Sequence, residues 1–199
     1  NILITHNSVD VNSIISAIHF VDSIAYDFVT FEDVEISCNY IVNHNTAGCG
    51  ISCGAHQDAF KFDRPVISSN YIHLCDAGIN SGNLYDADVS NNLFENNLNC
   101  GAQIGVLGGS VTDNKFEGIY QDGGDALQLW GGEWETAAST DVLIEGNTIT
   151  YNDISPEYPT HGIRLRPPVG TDPGIDGSTI HIHNNNFIDG GLKPRRICH

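Results

Sequence analysis

The chain has 199 residues, 40% of them hydrophobic, and a formal net charge of −17 from 25 acidic against 8 basic side chains. That length suffices for one domain with a real core, and the hydrophobic share argues against disorder. So acidic a chain repels nucleic acid phosphates and anionic membranes, and no apolar run reaches the ~18 residues of a membrane span.

The composition is rich in Asn, Asp, Gly, Ile and Val, with no Met; that mixture favours short strands and many turns. The first residues, "NILIT", are already strand-like and carry no signal-peptide pattern. They read as the start of a processed form or of a piece of a longer chain, with residues 1–199 forming one domain. Six cysteines stand at positions 38, 49, 53, 75, 100 and 198. An even number in a loop-rich chain is compatible with structural disulfides, and hence an oxidising compartment, or with buried thiols. "CGISCGAH" has no second close ligand pair to complete a zinc site.

Taken in chain order, one pattern returns seven times: apolar, any, any, Asn, any, apolar. It runs "ITHNSV", "ISCNYI", "ISSNYI", "VSNNLF", "VTDNKF", "IEGNTI" and "IHNNNF", aligning Asn7, Asn39, Asn70, Asn92, Asn114, Asn147 and Asn185. Successive asparagines are 32, 31, 22, 22, 33 and 38 residues apart. The repeated 22 is the basic unit, and the excess is loop inserted at a tolerated point. A second strand-like piece follows each Asn but the last: "SAIHF", "CGISC", "AGINS", "AQIGV", "DALQL" and "HGIRL". No segment sustains a helical period with caps. Strands recurring at this interval predict an all-β fold, a right-handed parallel β-helix of about seven coils. Its coils stack ~4.8 Å apart. The asparagines then form a column at a turn, where Asn tolerates left-handed backbone and side-chain amides can bond to one another. A β-sandwich gives the recurring Asn no role.

The Asn-turn after an alternating strand, followed by "GI", resembles right-handed parallel β-helix proteins with pectate-lyase-like coils, over nearly the whole chain. That superfamily includes pectate and alginate lyases, polygalacturonases, mannuronan epimerases and phage tailspikes, so the resemblance implies the fold more than a function. "GGDALQL" and "GIRLR" are similar to the paired-Asp segment and the basic strand of polygalacturonases. The adjacent double Asp and Gly-His-Gly motif of that family are missing, as is the Asp-Pro-His motif of the epimerases.

Strand alternation points to where chemistry can sit. Ile163 and Leu165 should face inward, aligned with Leu127 and Leu129; Arg164 and Arg166 then face outward above Gln128 and Trp130, and Asp125 lies beneath His161. Earlier coils place His19, Ser52, Asn80 and Gly105 in the Arg164 column. The fifth and sixth coils thus gather Asp122, Asp125, His161 and Arg164 as candidate catalytic groups, with Gln128, Trp130, Trp134 and Arg166 as substrate-binding groups. Each has a plain structural reading: surface arginines offsetting charge, a packed Trp, turn-forming Asp, a capping His. Together, flanked by the longest insertions, they suggest a carbohydrate site. Trp130 would stack on a sugar and the arginines would grip a uronate carboxylate.

Two mechanisms compete there: proton removal beside a uronate carboxylate by His161, tuned by Asp125, or hydrolysis by Asp122 and Asp125 with Glu133 or Glu135. Calcium is the one cofactor the sequence suggests. Its oxygen ligands would come from Asp172, Asp176 and "QDGGD", and many of the resembling lyases use this ion; the EF-hand pattern is absent. The expectation is an extracellular or cell-surface protein that binds, and cleaves or modifies, a polysaccharide. It has no nucleic acid partner and no membrane insertion, and it has room for homo-oligomers or neighbouring domains. The rival is a non-catalytic surface, adhesin or tailspike-type module.

Overall fold

The structure is a computed structural model, and it describes residues 1–20, 29–53, 60–118, 124–130, 140–151, 161–165 and 179–189. In chain order the strands are β1 (Ile2–Thr5), β2 (Ser8–Val11), β3 (Ser16–Phe20), β4 (Val29–Glu32), β5 (Val34–Ser37), β6 (Tyr40–Asn43), β7 (Cys49–Cys53), β8 (Phe60–Asp63), β9 (Val66–Ser68) and β10 (Tyr71–His73). They continue as β11 (Ala77–Ser90), β12 (Leu93–Glu95), β13 (Cys100–Thr112), β14 (Lys115–Glu117), β15 (Asp125–Leu129), β16 (Thr140–Glu145), β17 (Thr148–Tyr151), β18 (His161–Leu165), β19 (Ile180–His183) and β20 (Asn186–Asp189).

Every strand pairs in parallel with its equivalent one coil away, the pairing of a parallel β-helix solenoid. Three faces wrap the core. The first carries β1, β5, β9, the later part of β11, the later part of β13, β16 and β19. The second is a seven-stranded sheet in the order β2-β6-β10-β12-β14-β17-β20. The third carries β3, β7, the early parts of β11 and β13, β15 and β18. The long strands β11 and β13 fuse the first and third faces into one sheet.

The asparagine column is the spine of the corner between the first two faces. Asn92 Oδ1 accepts from the backbone N–H and the side-chain amide of Asn70, at 3.0 Å each, while Asn92 Nδ2 donates to the Ile67 carbonyl and to Asn114 Oδ1. The same pattern runs from Asn7 to Asn185. The ladder residues are not themselves the left-handed ones. That conformation falls one residue earlier, at His6, Cys38, Ser69, Asn91, Asp113, Gly146 and Asn184, with φ between 55° and 70°. The left-handed residue turns the chain, and the buried Asn that follows satisfies the backbone groups the turn leaves unpaired. A shorter second ladder, from Asn43 and Asn97, serves the next corner. Each accepts a backbone N–H of a neighbouring coil, from Ser13 and Cys75 respectively, and both are fully buried.

Apolar columns fill the interior. Ile36, Ile67, Val89, Val111 and Ile144 line the first face; Ile41, Ile72, Phe94, Phe116 and Ile149 line the second. Phe94 and Phe116 stack with centroids 4.8 Å apart and ring planes 9° from parallel, the spacing the strands themselves impose. At Gly101, in the corner leading to the third face, there is no room for a side chain. A Cβ on Gly101 would lie 2.4 Å from the Phe116 ring and 2.5 Å from the Ala126 carbonyl oxygen.

The disulfide expectation is corrected. Cys38, Cys49, Cys53, Cys75 and Cys100 are free thiols; Cys198 lies outside the described residues. For one pair of these thiols stacking gives the reason. Cys49 and Cys100 belong to one buried column with Ala77 between them, so two coil spacings, ~9.6 Å, separate them, beyond disulfide reach. Burial pushes the Cys53 and Cys75 thiols up to about 12.

Candidate functional site

The third face carries two columns side by side, one largely buried and one facing outward. In one, Cys100 pairs with Asp125 and Asp125 with His161. In the other, His19, Ser52, Asn80, Gln103, Gln128 and Arg164 follow one another coil by coil. The pairing of Gln128 with Arg164 and of Asp125 with His161 is the alignment expected from the sequence. In the fourth coil the column holds Gln103, not Gly105. Aligning that coil by its bulkiest residues slips it by two positions, because Ala102 takes the inward place that Ile79 and Leu127 hold in neighbouring coils.

Three side chains converge on one carboxylate. Asp125 is buried, its side chain 6% exposed. Its Oδ1 lies 2.8 Å from His161 Nδ1. Its Oδ2 accepts from Arg164 Nη1 at 3.3 Å and from Gln128 Nε2 at 3.1 Å. Burial pushes the Asp125 carboxyl above its ordinary range, while the adjacent Arg164 and His161 charges and hydrogen bonds pull it back. The parallel register brings the cluster together. Asp125 opens β15, His161 opens β18 directly above it, and Gln128 and Arg164 stand three residues further along each strand. His161 is 32% exposed and Arg164 44% exposed, so both reach from the buried carboxylate to the surface.

With Nδ1–H held by Asp125, a neutral His161 keeps Nε2 as its proton acceptor, the arrangement by which a carboxylate orients a catalytic base. Arg164, bound through one nitrogen, retains donors for an anion. The cluster can therefore take a proton beside a carboxylate whose charge it also offsets.

Trp130 departs from expectation. It follows Leu129 at an outward register yet is 2% exposed. Its ring is withdrawn from solvent and offers no open face to a sugar. Asp122, Trp134 and Arg166, like Glu133 and Glu135, lie outside the described residues. So do Asp172 and Asp176. Among the described residues no three His, Cys, Asp or Glu side chains converge as metal ligands, and Asp125 is fully engaged with cationic and amide donors. The described residues therefore do not fit calcium, and no step is derived through it.

Two features escaped the sequence reading. Gln128 is a direct donor to Asp125, beyond lining the column; its i+3 spacing from Asp125 was the available signal. On the second face, Tyr71 donates its hydroxyl to Glu95, and Tyr40 stacks on Tyr71 with centroids 5.1 Å apart.

These strand pairings and ladders define the class, a parallel β-helix solenoid carrying a carboxylate–imidazole–guanidinium cluster on one face. Compared with protein-family models, curated proteins and solved structures, the chain matches none.

Proposed function

We propose that this solenoid, of the pectate-lyase-like type, is an extracellular or cell-surface protein that binds a uronate-containing polysaccharide and modifies it by proton abstraction. The observation that carries the reading is the convergence of His161, Arg164 and Gln128 on the buried Asp125. Arg164 pairs with the uronate carboxylate and lowers the cost of removing the hydrogen on the adjacent carbon. His161 Nε2 takes that proton, and Asp125 stabilises the imidazolium that forms. The carbon's electron pair becomes a double bond as the β-glycosidic oxygen departs, taking a proton from water. If the carbon is instead reprotonated from its other side, the sugar is epimerised.

Proton abstraction is favoured over hydrolysis because the one described carboxylate here holds a base and a cation in place, rather than standing open as half of an acid–base pair. The test is a panel of anionic and neutral glycans, assayed by ultraviolet absorbance for new unsaturated ends and separately for reducing ends. Unsaturated ends, lost in Arg164→Ala, are expected. Reducing ends without unsaturation would replace the mechanism with hydrolysis. Binding without any product would make the protein a non-catalytic glycan-binding module.

A further inference from the structure

We infer that the polymer this face accepts carries its uronates singly, separated by uncharged sugars, and is not a homopolyuronate. The inference rests on the proposed uronate site and concerns what lies beside it. Consecutive coils repeat the outward column every ~4.8 Å, so a chain laid along the axis meets a new column residue at each coil. Arg164 is the one guanidinium in that column among the described residues. Toward the start of the solenoid the column continues as Gln128, Gln103 and Asn80.

Amides donate and accept, which suits hydroxyl and acetamido groups. They offer no full charge to offset a second carboxylate. Asn80 Oδ1 is buried in this column and has no hydrogen-bond partner among the described residues, an acceptor left unfilled beneath the face. The neighbouring charges point the same way. Asp76 stands just before β11, its backbone bonded to Gly48, Asn99 and Cys100 beside the adjoining column, and the chain as a whole carries −17. A carboxylate on every sugar would meet one guanidinium and then repulsion. A carboxylate flanked by neutral sugars meets Arg164 and then amides.

The test is binding, measured by calorimetry on the intact chain with two unsulfated probes, an alternating glucuronate–N-acetylhexosamine polymer and polygalacturonate. The alternating polymer is expected to bind at least about tenfold more tightly, the scale of a single unpaired charge at a partly exposed site. Raising salt from about 20 to about 200 mM should strengthen polygalacturonate binding by screening repulsion. Gln103→Lys should narrow the preference and Gln103→Glu should widen it; opposite shifts from one position distinguish a subsite from a folding defect. Equal or tighter binding of polygalacturonate overturns the inference while leaving the uronate site intact. Preferential binding of the alternating polymer without unsaturated product supports the inference and overturns the proposed chemistry. Failure to bind either polymer overturns both.

Discussion

Seven coils turn the corner between the first two faces by the same means, a left-handed residue followed by a ladder Asn that is buried in the five inner coils. On the third face, successive coils put His, Ser, Asn, Gln, Gln and Arg at one position. The two regions share one backbone repeat and differ in what constrains them. At the corner, each coil's backbone N–H needs an acceptor that only the next coil can supply, so a change in one coil strands a group in another. On the outer face a side chain answers to water and to whatever binds, and the sequence is free to vary. Uniformity therefore marks the scaffold here, and variation marks the candidate site.

Substitutions on the two sides should separate stability from activity. The largest effect is expected at His161. His161→Gln should lower the rate of unsaturated-end formation by about 10²–10⁴, the usual worth of a positioned base, with the melting temperature nearly unchanged because the side chain is partly exposed. A variant that unfolds instead would assign His161 to the scaffold. Asn92→Ala should do the reverse. It deletes four buried hydrogen bonds and strands the Asn70 N–H and the Ile67 carbonyl. The expected loss is about 3–5 kcal/mol, or roughly 10 °C in a thermal melt. A loss below about 1 kcal/mol would mean that the ladder decorates the turn without holding it.

The scaffold was legible in the sequence because its constraint is periodic. Asn7 to Asn185 fall at one motif position, and "DALQL" over "HGIRL" gave the pairing of Asp125 with His161 directly. What the sequence hid is equally physical. The left-handed role had no residue signature, since His, Cys, Ser, Asn, Asp and Gly all fill it. The Asn43–Asn97 ladder occurs in too few coils to show as a repeat. Ala102 hid the fourth coil's register, because a small residue in an inward column resembles an outward one. Burial of Trp130 at an outward register is not encoded by strand alternation.

Asp125 belongs to both regions, buried like the scaffold yet variable like the site, and its titration tests which role dominates. Burial raises its folded pKa above its unfolded value. Such a group contributes stability that is fully present below the unfolded value, ~3.9, and is lost as pH rises through the folded pKa. Asp125→Asn removes that loss. Urea melts should therefore show the variant gaining on the wild type as pH rises from about 3 to neutrality, while unsaturated-end formation falls at every pH. This is the pattern of a carboxylate retained for chemistry at a cost in stability. A stability difference that does not change with pH would place Asp125 among purely structural residues.

The smallest effect probes the corner from its other half. Cys38 takes the left-handed position before Asn39 with φ 56°, and it is exposed. A side chain there suffers the crowding that makes this conformation costly for most residues, and Asn tolerates it best after Gly. The same position is already Asn in two coils, at Asn91 and Asn184. Cys38→Asn should therefore stabilise the fold by about 0.5–1 kcal/mol, read as a rise in the urea midpoint with an unchanged slope. No gain, or a loss, would show that the ladder fixes the turn so firmly that the left-handed residue's own preference no longer matters. The uniform corner would then owe its shape to Asn39 alone.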